Sequence, residues 1–213
     1  MTLFEAYDAI LAPGASADRA AHVAEMRAAF ERRTGEFAPE DPWFEARSRA
    51  FWDDAVTTQG FARDVLAEGS LPEGARVWVP RLERAHRGLF VPASSNEPGR
   101  PVLRDLWGGA EMVVHVLDDA SRDALAAAAA PFDARLVGSD DPPRVAMLPG
   151  AVFHPADAAG PIDGVLAKGR AEGRRSSDVL DALLRMERGL RASARVKAAY
   201  AYRADRLGSP GKG

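Results

Sequence analysis

The stretch Leu103–Val116 reads LRDLWGGAEMVVHV, and the fate of its two glycines decides the fold. A loop that cradles phosphate needs a helix after its glycines, so that the helix N-terminus can hold the anion. Here AEMVVHVL follows, a short run rich in β-branched residues that reads as a strand. Gly108 and Gly109 therefore predict a hairpin turn, with Trp107 opposite Ala110, Asp105 opposite Met112 and Leu103 opposite Val114. One face of that ladder is apolar except for Asp105, and a carboxylate in such company needs a hydrogen-bond or charge partner to stay ionised.

Asp105 beside Trp107, with His115 near it in sequence, is the candidate acid–base site. The competing reading makes Asp105 a structural acceptor of backbone N–H groups or of an arginine, because no second carboxylate or histidine shares its face. Asp105, Trp107 and His115 are thus candidate functional residues, and no catalytic residue is assigned.

Outward from the hairpin, the period of the sequence changes twice. Residues 1–72 read as an N-terminal helical region. SADRAAHVAEMRAAFERRTG carries Ser16 as a candidate N-cap and Gly35 as a stop. DPWFEARSRAFWDDAVTTQG has Asp41 as cap, Pro42 at the first helical position and an apolar stripe of Phe44, Phe51, Trp52 and Ala55, with the acidic pair Asp53 and Asp54 behind it.

Residues 73–155 read as a small antiparallel β module in which ARVWVP, GLFVPAS, PVLRDLW, AEMVVHVL, DARLVG and RVAMLPG are strands. DASRDALAAAAAP is one inserted short helix. Residues 156–207 return to the helical period as a basic C-terminal region, and 208–213 read as a disordered tail. The expected fold class is α+β: N-terminal helices, a small curved antiparallel sheet or partly closed barrel with that inserted helix, and a C-terminal helical segment. The three regions are expected to form one compact unit.

Composition narrows function mainly by exclusion. The 213 residues are 46% hydrophobic and 28% charged with a net charge of −3, which suits a folded, soluble protein. With no cysteine there is no disulfide, thiolate metal site or cysteine nucleophile. The N-terminus lacks the basic flank of a signal peptide and no run is long enough to span a membrane, so a cytoplasmic location and no membrane partner are expected. His22, His86, His115 and His154 each find at most one nearby carboxylate, so no metal and no cofactor is assigned. His154, before a proline, is expected to end a strand.

Charge is uneven along the chain. Residues 165–213 carry twelve basic and five acidic side chains, leaving the first 164 residues with a net charge of −10. On one continuous helix Arg188, Arg191, Arg195 and Arg206 fall within about 60° of each other, opposite Val179, Leu183, Met186 and Leu190.

That arginine face fits an acidic protein or a polyanion, and it equally fits the acidic helices of the same chain, Asp53 and Asp54 included. The expected function is a non-enzymatic interaction or regulatory protein, with its contact surface at Arg188, Arg191 and Arg195 or at the Trp107 hairpin. The alternatives are an enzyme of unrecognised class around Asp105, Trp107 and His115, and a weak nucleic-acid binder, which the acidic overall balance disfavours. Exposed Tyr200 and Tyr202 are candidates for a dimer contact.

Overall fold

A computed structural model describes residues 1–93, 101–116, 118–138, 144–193 and 195–208. It is an α+β fold with helices at both ends of the chain and six strands between them. Ser94 at the end of the expected strand GLFVPAS, Leu117 at the end of AEMVVHVL, and the proposed tail beyond Gly208 lie outside the described residues.

The N-terminal helices are α1 (Leu3–Leu11), α2 (Ala20–Thr34), α3 (Phe44–Thr57) and α4 (Phe61–Ala67), followed by the single turns α5 (Glu73–Arg76) and α6 (Val79–Leu82). Local chemistry sets their ends. Thr2 and Glu5 close a capping box on α1, and Gly35, at φ 97°, ends α2 in a conformation open to glycine. Ser16 does not cap: 3-10 turns precede α2. Asp41 accepts from Ala38 N–H in a turn, and α3 starts at Phe44, two residues after Pro42.

ARVWVP is helical, which corrects the strand expected there and moves the start of the sheet from residue 73 to His86. The reason is a stripe at helical spacing: Ala75, Val79 and Leu82 are buried against the N-terminal helices while Val77 is exposed. High β-propensity in a short segment yields to tertiary burial.

The strands are β1 (His86–Ala93), β2 (Val102–Asp105), β3 (Glu111–Val116), β4 (Phe132–Gly138), β5 (Arg144–Met147) and β6 (Val152–Phe153). Helix α7 (Asp119–Ala126) lies between β3 and β4, capped by Asp118 on Ser121 N–H. The order is β1-β2-β3-β5-β4-β6, and β1 also pairs with β4, so the sheet closes partly into a ring.

All pairings are antiparallel except β3 with β5, a departure from the expected all-antiparallel sheet. It follows from connectivity: β4 reverses direction after α7 and β5 reverses again, leaving β5 parallel to β3. Phe90, Leu103, Val114, Phe132, Leu136 and Met147 fill the interior of the ring.

The C-terminal region comprises α8 (Ala159–Ala171), α9 (Ser176–Arg191) and the single turn α10 (Ala198–Ala201). α9 stops at Arg191, so Arg195 and Arg206 lie off that helix and the continuous arginine face is not formed. Val137, Ala146 and Val152 on the outside of the ring join the N-terminal core, and Leu89 joins the core of α8, α9 and α10. β4 is consequently buried on both faces.

Candidate functional site

In the opening hairpin, Leu103 pairs with Met112 and Arg104 with Glu111, two residues from the register expected for a two-residue turn. Asp105 N–H donates to Ala110 carbonyl, Gly109 N–H donates to Asp105 carbonyl, and Gly109 takes φ 77°. The turn thus runs from Leu106 to Gly109. A two-residue shift keeps every side chain on its expected face, so Asp105 does point inward, 3% exposed.

His86 answers the question of its partner. The His86 Nε2–H donates to Asp105 Oδ2 at 3.1 Å, since an ionised carboxylate can only accept, and Trp107 N–H donates to Oδ1 at 2.9 Å. Burial pushes the Asp105 carboxyl up, but the His86 and Trp107 hydrogen bonds and the His86 charge hold it below the ordinary value.

His115 stays apart from this group. It is exposed on the opposite face of β3, with Nδ1 on Val145 carbonyl at 3.1 Å. Trp107 turns to α8, where Arg170 lies 5.2 Å from its ring centre. Asp105, Trp107 and His115 therefore do not converge on one reacting point. His86 was the missed residue, since nothing local ties it to a residue 19 positions away.

The arginines of α9 face the chain itself. Arg188 Nε donates to Glu36 carbonyl at 3.0 Å. Arg185 donates to Arg33 carbonyl, and Arg191 pairs with Glu187. They cover the C-terminal end of α2, where cations are favoured by unpaired carbonyls and the helix dipole. Arg195 is exposed beyond the helix. Tyr200 is exposed as expected, whereas Tyr202 is buried and meets His154 Nδ1 at 2.8 Å. His154 directly follows β6, ending that strand.

The strongest electrostatic feature lies where the three regions meet, and it includes the acidic pair expected behind the α3 stripe. Asp53 and Asp54 are fully buried. Asp54 accepts from Arg135 of β4 at 2.5 Å, from Gln59 at 2.8 Å and from Arg33 of α2. Arg87 of β1 bridges Asp133 of β4 at 2.8 Å and Asp181 of α9 at 2.6 Å. The outward positions of β1 and β4 thus carry charge that looks solvated in sequence but is covered by helices.

Asp53 accepts from Tyr7 hydroxyl at 2.6 Å and Gly150 N–H at 2.9 Å. Burial pushes its carboxyl up to about 6 against the pull of Arg135 and both hydrogen bonds. Arg47, 1% exposed, donates to Leu184 carbonyl and to Glu187, each at 2.5 Å. Arg33, Arg47, Arg87 and Arg135 thus direct their guanidinium groups at carboxylates and carbonyls of the chain itself, with Arg47 Nε and Arg135 Nε left without a partner among the described residues.

A cavity of about 410 Å³ lies instead on the outside of the ring. Val91 and Pro92 of β1, Arg104 of β2, Leu106 of the hairpin turn, residues 128–131 after α7, and Ala159 and Asp163 of α8 line it. Arg104, Ala129 and Asp163 are exposed at its rim. The Leu106 wall is anchored: its N–H donates to Leu89 carbonyl at 2.7 Å, and its carbonyl accepts from Arg170. Neither Arg104 nor Asp163 has an ion-pair or hydrogen-bond partner among the described residues.

Among the described residues no three His, Asp or Glu side chains gather as a metal set, and no helix is long and apolar enough to cross a membrane. Comparison with family models, with curated proteins and with solved structures finds no match.

Proposed function

We propose that this chain is a non-enzymatic binding protein that takes a small ligand in the cavity between the Trp107 hairpin and α8. One observation carries the reading. Among the described residues, Arg104 and Asp163 are the charged side chains that line this cavity, neither has an ion-pair or hydrogen-bond partner, and the rest of the lining is apolar. Elsewhere, in the buried seam and along α9, charged groups face one another or backbone carbonyls.

Concave, mostly apolar sites with a few placed polar groups are the usual form of small-ligand sites. Among the described residues the lining offers one guanidinium and one carboxylate but no hydroxyl or imidazole, a set that suits holding an ionic ligand better than transforming it. Of the two contact surfaces expected from sequence, the hairpin is favoured, because Arg188 and Arg191 are occupied within the chain.

The test is a fluorescence titration with 1-anilinonaphthalene-8-sulfonate, an apolar body bearing one anion. The expected result is saturable binding at one site that is lost in Ala129→Trp, a substitution that fills the cavity from its exposed rim. Saturable binding that is unchanged in Ala129→Trp overturns the reading. A parallel titration with single-stranded DNA tests the nucleic-acid alternative. Salt-dependent binding lost in the triple variant Arg188→Gln, Arg191→Gln and Arg195→Gln would move the contact surface to α9.

A further inference from the structure

We infer that the ligand of this cavity is a zwitterion with an apolar body, of the class of short peptides with free termini, its carboxylate on Arg104 and its ammonium group on Asp163. The inference rests on the binding reading above and names its chemistry.

The charges decide between ligand classes. A simple anion drawn to Arg104 would meet the Asp163 carboxylate across the same cavity, and a simple cation would meet Arg104. A ligand carrying both charges satisfies both groups at once, and each of its ends gains a charge-assisted contact. Arg104 suits the carboxylate because its planar fork can donate two parallel hydrogen bonds.

The walls decide the body. Val91, Leu106, Ala159 and residues 128–131, three alanines and a proline, present short aliphatic surface, and among the described residues no aromatic ring lines it on which a base or a sugar face would stack. A volume of about 410 Å³ lies toward the lower end of the range of roughly 300–1,000 Å³ typical of small-molecule sites. That size favours a di- or tripeptide with small aliphatic side chains over a longer segment.

Shape contributes as well. Pro92 and Pro131 stiffen two walls, and the Leu106 backbone is held at both its N–H and its carbonyl. A wall that needs no ordering on binding spares affinity that a mobile loop would lose. Because Arg104 and Asp163 are exposed, their contacts are screened, so binding is expected to be weak and to fall with added salt.

The experiment is isothermal titration calorimetry on the full chain with leucyl-alanine, its N-acetyl derivative and its C-terminal amide. The free dipeptide is expected to bind, and blocking either end should weaken binding about two- to fivefold. In Arg104→Gln the free dipeptide should bind no better than the amide. In Asp163→Asn it should bind no better than the acetylated form. Both residues are exposed and unpartnered, so both variants should melt as the parent does.

Equal binding of free and blocked dipeptides overturns the zwitterion assignment. So does anilinonaphthalene sulfonate binding that no free dipeptide displaces, an outcome that leaves the cavity as a binding site for another ligand. Failure of both probes removes the binding reading itself.

Discussion

Asp105 shows how a single residue can be placed correctly while its partner stays out of sight in the sequence. Register arithmetic put it on the apolar face of the hairpin, where it lies, but its partner came from His86 at the start of β1, outside any local window. Asp105→Asn should cost about 1–3 kcal/mol, because His86 Nε2 or a backbone donor loses its acceptor, seen as a melting-temperature drop of roughly 2–4 °C per kcal/mol.

The pH dependence has a definite sign. The Asp105 carboxyl is held below its ordinary value, so its contribution is present above the unfolded pKa of about 4 and is lost as pH falls through the folded value. The gap between parent and variant should therefore shrink in acid. Gly150 is a second such residue: a Cβ there would sit 2.5 Å from Arg49 carbonyl oxygen. Gly150→Ala should destabilise by about 1–3 kcal/mol through overpacking, which chemical denaturation can measure.

Among the elements, the seam between α3, β4 and α9 was the least legible in sequence. The stop of α2 at Gly35 and three of the four expected apolar positions of α9, Val179, Leu183 and Met186, could be read from spacing, because those signals are local, whereas the helix starts expected at Ser16 and Asp41 could not. DARLVG reads as a strand in sequence, with nothing local to say what covers its charged positions. In the fold its outward face, Asp133 and Arg135, is covered by helices and paired with residues 46 and 81 positions away.

Pattern alone does not say whether a charged face meets water or another charged face. Asp54→Ala should cost about 3–5 kcal/mol, since it strands two guanidinium groups, one of them fully buried. A denaturation midpoint near that of the parent would contradict the structural assignment of the seam.

At the scale of the whole molecule, two buried groups act in opposite directions with pH. Asp53, raised from 3.8 to about 6, contributes stability that is full below about pH 4 and is lost as pH rises through 6. His154, pushed down by burial from 6.5 to about 4, contributes stability that is full above 6.5 and is lost as pH falls toward 4. Each is worth about 3 kcal/mol, so the two nearly cancel between pH 4 and 6.5. Asp53→Asn should lose stability toward acid across that window and His154→Gln should gain it, while the parent stays nearly level. Thermal melts in a pH series read all three slopes.

In the proposed account, partnered groups such as Asp54 and Arg135 build the fold, and Arg104 and Asp163 meet the ligand. The most direct test is calorimetric titration of leucyl-alanine into the parent, Arg104→Gln and Asp54→Asn, with the melting temperature of each. The account predicts that Arg104→Gln melts with the parent and binds the dipeptide about two- to fivefold more weakly, whereas Asp54→Asn melts several degrees lower and, while folded, binds as the parent does. Parent-like binding by Arg104→Gln, or a loss of affinity confined to Asp54→Asn, would contradict it.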